Sequence, residues 1–105
     1  MVRKRKYDKV IEFGKIRIVY HKGIEEHILK HENVSLTEAK RALEEHDFII
    51  VHLTGKDYAF IAKDPVSGKH ITIFVEKLAG SEFRLKTIRL SNQKEKKYYK
   101  KKREG

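Results

Sequence analysis

Cysteine and tryptophan are both absent from the 105 residues, and there is a single proline. Without cysteine there is no disulfide framework, no thiolate zinc site and no thiol nucleophile, so a small core must hold by packing alone and a cytoplasmic setting is expected. Long apolar runs are missing too: nothing approaches the roughly 20 residues of a membrane-spanning helix. The basic start Met1-Val2-Arg3-Lys4-Arg5-Lys6 continues into Tyr7-Asp8-Lys9, not into the apolar region of a signal peptide. A soluble, unprocessed chain with no membrane partner is therefore expected. The glycines at 14, 23, 55, 68 and 80 stand singly. No phosphate loop or dinucleotide fingerprint is present, which removes nucleotide-dependent enzymes, and no Gly-x-Ser-x-Gly elbow supports a hydrolase triad.

Acidic charge is in short supply. Against 25 Lys and Arg stand 15 Asp and Glu, a formal charge of +10 and a pI of about 9.8. That imbalance points to a polyanionic partner, nucleic acid first. The excess collects at the ends. Lys94, Lys96, Lys97, Lys100, Lys101, Lys102 and Arg103 face only Glu95 and Glu104, and Arg3, Lys4, Arg5, Lys6 and Lys9 form a second cluster. The length suits one domain over 1–105, with basic ends at about 1–6 and 100–105 expected to be flexible.

Periodicity supplies the elements. Phe83 and Leu85 alternate with Arg84 and Lys86, as in a strand with one side against a core. Asn92 and Glu95 then read as an N-cap and its capping-box partner, opening a helix made almost entirely of Lys, Arg and Tyr. Upstream, Val10–Phe13 and Ile16–Tyr20 flank Gly14-Lys15 as a hairpin. Ile24, His27, Ile28 and His31 share one helical face, and Ser35-Leu36-Thr37-Glu38 caps a second helix in which Leu36, Ala39, Ala42 and Leu43 recur up to His46. Strands at Phe48–Leu53, Tyr58–Lys63 and His70–Glu76 are separated by turn-rich segments. The order of elements predicts an α+β domain, an antiparallel sheet with two helices packed on it and a basic C-terminal helix leaving the last strand near Ser91. His27 and His31, with Glu26 and Glu32, have the spacing of helical metal ligands. Ile28 stands where a metalloprotease Glu would, and no third ligand is placed, so no metal is expected.

One series of residues carries more. Lys30-His31, then Val34-Ser35-Leu36-Thr37-Glu38-Ala39, then Gly68-Lys69 opening a strand, then Arg84, Thr87 and Arg89, and finally Glu95 and Tyr99, together resemble the BrnT toxins, small members of the RelE-like superfamily. The likeness covers roughly residues 17–103; the family's Trp-Asp pair falls on Val19-Tyr20, its helical Asn on His27, and the N-terminal hairpin is additional. The resemblance implies a RelE/BrnT-like fold and a type II toxin–antitoxin ribonuclease that cleaves RNA without metal or cofactor, by attack of the 2′-hydroxyl on the adjacent phosphorus. It also implies a small cognate antitoxin as protein partner; a homodimer stays open. Arg84 and Arg89 match family positions, and a guanidinium offers the donor fork a phosphate needs. His70, next to the matched Lys69, is the candidate for the acid–base pair because its unperturbed pKa lies near neutrality. Glu95 also matches, although its capping box explains it without chemistry.

Lys69, Lys86, Lys96, Lys97, Tyr99 and Lys100 are expected to contact the nucleic acid, with Tyr98 or Tyr99 stacking on a base. Arg84 and Arg89 fall on opposite faces of a regular strand, so both reach one phosphate only if a bulge or twist intervenes near Thr87. Two alternatives remain. One is a non-catalytic nucleic-acid-binding module; the other is an interaction protein whose basic surface meets an acidic partner.

Overall fold

The computed structural model describes residues 7, 9–31, 33–45 and 47–104, so the expected flexible start at 1–6 lies outside the described residues. In chain order the elements are β1 (Lys9–Phe13), β2 (Ile16–Tyr20), α1 (Lys22–His31), α2 (Leu36–Glu44), β3 (Phe48–Thr54), β4 (Asp57–Lys63), β5 (His70–Ala79), β6 (Glu82–Leu90) and α3 (Gln93–Glu104). Both expected capping boxes form. The Ser35 hydroxyl accepts the Glu38 N–H while the Glu38 carboxylate accepts the Ser35 N–H. Asn92 Oδ1 accepts the Glu95 N–H at 2.8 Å, and Glu95 returns the bond to the Asn92 N–H at 2.9 Å. Held this way at its start, α3 runs on to Glu104, so the stretch from Lys100, expected to be flexible, continues the helix.

The sheet has six strands in the order β1-β2-β6-β5-β4-β3. It is mixed, which corrects the expected antiparallel sheet: β2 and β6 run parallel, with Ile18 opposite Phe83. The cause is the route of the chain. From β2 it passes through α1 and α2 to β3 at the far edge, and the meander β3 to β6 then works back until β6 lies beside β2.

Alternation gives the sheet one apolar face. Ile11, Phe13, Ile18, Phe60, Ile71, Ile73, Val75, Phe83, Leu85 and Ile88 form a single core with Ile28 of α1 and Leu36, Ala39, Ala42 and Leu43 of α2. Phe60, fully buried, meets Phe13 and Phe83 edge-on at 5.8 and 5.5 Å. That edge-to-face arrangement suits the ring quadrupoles. Leu85 and Ile88 are three residues apart yet both buried, which a regular strand forbids. The ladder passes from Val75 opposite Leu85 to Phe74 opposite Thr87, leaving Lys86 as the extra residue of a β-bulge.

An ion pair with a buried carboxylate and a half-buried guanidinium ties the β4–β5 turn to α2. Asp64 is 0% exposed, and its carboxylate accepts Arg41 Nε at 2.6 Å and Arg41 Nη2 at 2.7 Å. It also accepts the Ser67 hydroxyl and the backbone N–H groups of Val66 and Ser67. The Arg41 hydrogen bond is the largest influence and outweighs burial, holding Asp64 far below its ordinary value of 3.8. A depressed carboxylate stabilises the fold fully above its ordinary pKa and loses that contribution as pH falls below it. Asp64→Ala is expected to lower the melting temperature at neutral pH by roughly 10 °C, since it strands the donors of a buried carboxylate. Melts of both proteins from pH 7 down to about pH 2 test this: the gap should narrow on acidification, and a constant gap would contradict the assignment.

Candidate nucleic-acid interface

On the sheet face opposite the core, strand pairing aligns side chains in rows. Lys63 lies beside His70; Ile61, Thr72 and Arg89 form the next row; Ala59, Phe74 and Thr87 the third; Asp57, Glu76 and Arg84 the fourth. The bulge at Lys86 brings Arg84 and Arg89 to this one face, by the device their spacing requires. They are still two rows apart, about 14 Å along the strands, and Arg84 is about 20 Å from His70 by the same rise per residue.

The cations of β6 on this face, Arg84, Lys86 and Arg89, are each held by a carboxylate. Arg89 grips Glu95 with both nitrogens, Nη1 to Oε1 at 2.8 Å and Nη2 to Oε2 at 2.7 Å, and its guanidinium lies 4.9 Å from the Phe74 ring centre. Glu95 Oε1 also accepts the Thr72 hydroxyl at 2.9 Å. Burial pushes the Glu95 carboxyl up, but Arg89, the Asn92 N–H and Thr72 together outweigh it and leave it below its ordinary 4.5. Glu95 is therefore ionised at neutral pH, orienting Arg89 and capping α3 at once. Arg84 is bridged to Glu76 at 2.9 Å and Lys86 to Asp57 at 3.1 Å. Lys69 stands apart from this face: its ammonium binds the Asn33 carbonyl and the Glu38 carboxylate, both at 3.0 Å, at the start of α2.

Helix α3 lies against β3 and β4, anchored by one of its two tyrosines. Tyr99 is 6% exposed, donates its hydroxyl to Asp47 and meets the His70 ring edge-on at 5.3 Å. Burial, then the bond to Asp47, pushes its pKa up to about 12. Tyr98 is 42% exposed, with the Lys102 ammonium 5.6 Å from its ring centre. A ring available for stacking is thus that of Tyr98, and Tyr99 is the structural one. Of the lysines expected to touch nucleic acid, Lys96, Lys97 and Lys100 are all exposed.

Two cavities flank the helix. The first, about 340 Å³, is apolar, walled by Val51, Leu53, Ala59, Phe74 and Tyr98. The second, about 440 Å³, opens among the charged side chains of Lys63, Lys96, Lys100, Arg103 and Asp47, with the His70 and Tyr99 rings beside them. Burial first, then the charges of Lys63 and Lys96, holds the His70 imidazole below its ordinary 6.5, with Asp47 opposing weakly. At neutral pH it is the uncharged, proton-accepting form. Lys63, Asp47 and Arg103 escape a reading of the sequence as site residues. Only the pairing of Lys63 with His70, and the turn that sets Asp47 under α3, assembles them. His27 is exposed on α1; the side chain of His31 and residue 32 lie outside the described residues.

Because Glu95 joins cap, strand and helix, Glu95→Ala is expected to lower the melting temperature by roughly 5–10 °C, about 1 kcal/mol for the lost cap plus the stranded donors. Amide exchange should accelerate first in residues 93–99. The effect should fade below the ordinary carboxylate pKa of 4.5, where the wild-type group loses its advantage. Uniform exchange along the chain would assign Glu95 no such joint role. No protein-family model, no curated protein and no solved structure matches the chain.

Proposed function

We propose that this protein binds single-stranded RNA across the sheet face that carries α3 and cleaves it without a metal ion, as a RelE-like toxin of the BrnT type. The observation that carries the reading is the bulge at Lys86, which turns Arg84 and Arg89 to the face shared with His70, Glu95 and the basic helix. In such a reaction the 2′-hydroxyl attacks the adjacent phosphorus and the 5′-oxygen leaves, giving a 2′,3′-cyclic phosphate and a 5′-hydroxyl. A base takes the hydroxyl proton while cations meet the charge growing on the phosphorane. His70, uncharged at neutral pH, suits the base. Arg89, one row away, suits the cation; Arg84, three rows from His70, suits substrate binding only.

The lysines of α3 supply the sequence-independent backbone contacts, and the apolar cavity beside Tyr98 accepts an unstacked base. This form of substrate fits a single strand better than a duplex, whose bases are already stacked. A small antitoxin covering the basic face is the protein partner the toxin reading entails.

A second reading has its own support. Both strand arginines are closed by carboxylates, Arg89 at both nitrogens, so the face as it stands has no free guanidinium. That favours a non-catalytic RNA-binding module, with contacts made by the helix alone. In the nuclease, the scissile phosphate must displace Glu95 from Arg89.

Incubation with RNA in chelator separates the two: fragments ending in cyclic phosphate support the nuclease, binding without fragments supports the module, and no binding rejects both. For the nuclease, Arg89→Ala should slow single-turnover cleavage by roughly 10² or more, the cost of removing one donor to developing charge. Arg84→Ala should slow it less than threefold. Replacing Lys96, Lys97 and Lys100 by alanine should flatten the log–log salt dependence of binding by about 0.7 for each phosphate no longer neutralised.

A further inference from the structure

We infer that the cavity around His70 is a binding site for the dianionic phosphate of a phosphomonoester, the phosphorylated end of an RNA strand. The inference extends the RNA-binding reading to strand ends and does not require cleavage.

The first argument is charge. Lys63, Lys96, Lys100 and Arg103 project from two different elements into one cavity of about 440 Å³, opposed by the single carboxylate of Asp47. That carboxylate is already taken, by Arg103 at 3.1 Å and by the Tyr99 hydroxyl. Among the described residues, Lys63, Lys96 and Lys100 have no carboxylate partner, unlike Lys69, Lys86, Arg84 and Arg89. Three uncompensated cations suit a monoester phosphate carrying nearly two charges at pH 7 better than a backbone diester carrying one.

The second argument is an orphaned atom. His70 Nδ1 is buried and has no hydrogen-bond partner among the described residues. Buried polar atoms in folded proteins are nearly always paired, so an unpaired ring nitrogen on a residue that lines the cavity calls for a role, and accepting a proton when an anion arrives beside the ring is one. Burial of the ring by Tyr99 and repulsion from Lys63 and Lys96 keep the imidazole uncharged while the cavity holds no anion. A bound dianion reverses that balance and draws a proton onto the ring. Binding therefore strengthens as pH falls from 8 towards 7, and levels off nearer the second phosphate pKa of about 6, where the dianion itself takes up a proton.

The consequence for the proposed reaction is direct. Its cyclic product, once opened by water, ends in a 3′-phosphomonoester. That end occupies the cavity that holds the base, so phosphate-ended fragments restrain further turnover.

The test uses 2′-O-methyl trinucleotides, which lack the attacking hydroxyl, with a 3′-phosphate, a 5′-phosphate or neither, and inorganic phosphate as a fourth probe. Ring resonances of His70 report occupancy and protonation. At least one phosphorylated trinucleotide should bind ten or more times tighter than the unphosphorylated one, with the His70 pKa raised on saturation. Whether the preference attaches to the 3′ end, the 5′ end, both or phosphate alone identifies the source of the dianion. In Lys63→Ala/Lys100→Ala, two exposed positions with no packing role, the preference should shrink to within twofold. Equal affinity for all trinucleotides, or a preference that leaves the His70 resonances unmoved, would overturn the site. Because no arm is cleavable, end preference is read independently of the incubation with RNA in chelator: end preference with no fragments there would retain this site and reject the nuclease, and fragments there without end preference would do the reverse.

Discussion

One extra residue in β6 decides the character of both faces of the sheet. Leu85 and Ile88 are each almost wholly buried, and burying a side chain of that size contributes about 1.5–3 kcal/mol. A regular strand would expose one of them. Interrupting the ladder at Lys86 costs about one net hydrogen bond, roughly 0.5–1.5 kcal/mol. Packing therefore wins, and the bulge is what the core selects. The shared face of Arg84, Thr87 and Arg89 follows from that choice, with no need for the arginines to favour it themselves.

The charge of the chain divides into two populations that the net value of +10 does not separate. On the strands, cations and carboxylates alternate across the rows: Arg17 between Glu12 and Glu82, Arg84 on Glu76, Lys86 on Asp57. Exposed pairs of this kind contribute little stability, typically under about 1 kcal/mol each. Their effect is to neutralise that half of the face. The helix lysines are left to set the long-range field, and its reach shrinks with salt over a Debye length of about 8 Å at physiological ionic strength. The attractive region for a polyanion is thus narrower than the composition suggests, centred on α3 and the end of β4.

Local chemistry was legible in the residues. Both capping boxes, the hairpin at Gly14 and nearly every strand boundary follow from side chains within four positions of one another, and such signals do not depend on the rest of the fold. A bulge near Thr87 was legible only as the condition for Arg84 and Arg89 to reach one phosphate; the bulge is there, yet the two stay about 14 Å apart. What stayed hidden was non-local. Alternation tells which face a residue takes but not which strand lies beside it, so the parallel β2–β6 pair was invisible. The same blindness concealed the Arg41–Asp64 lock, the capture of Lys69 by Glu38, and Lys63 as neighbour to His70. Tyr98 and Tyr99 are chemically identical, and only the angle at which α3 meets the sheet decides which is buried.

The parallel pair also fixes an order of events. Ile18 takes its place beside Phe83, so the N-terminal hairpin has no sheet to join until β6 exists. Meanwhile β3, β4 and β5 can form a meander from neighbours in sequence, closing short loops at low entropic cost. β6 then enters with two open flanks, zipping to β5 on one side and receiving the waiting hairpin on the other. The last strand of this sheet in chain order is an interior one. A chain stopped short of residue 90 would present two unpaired strand edges in place of a sheet, the kind of surface that recruits other unfinished chains.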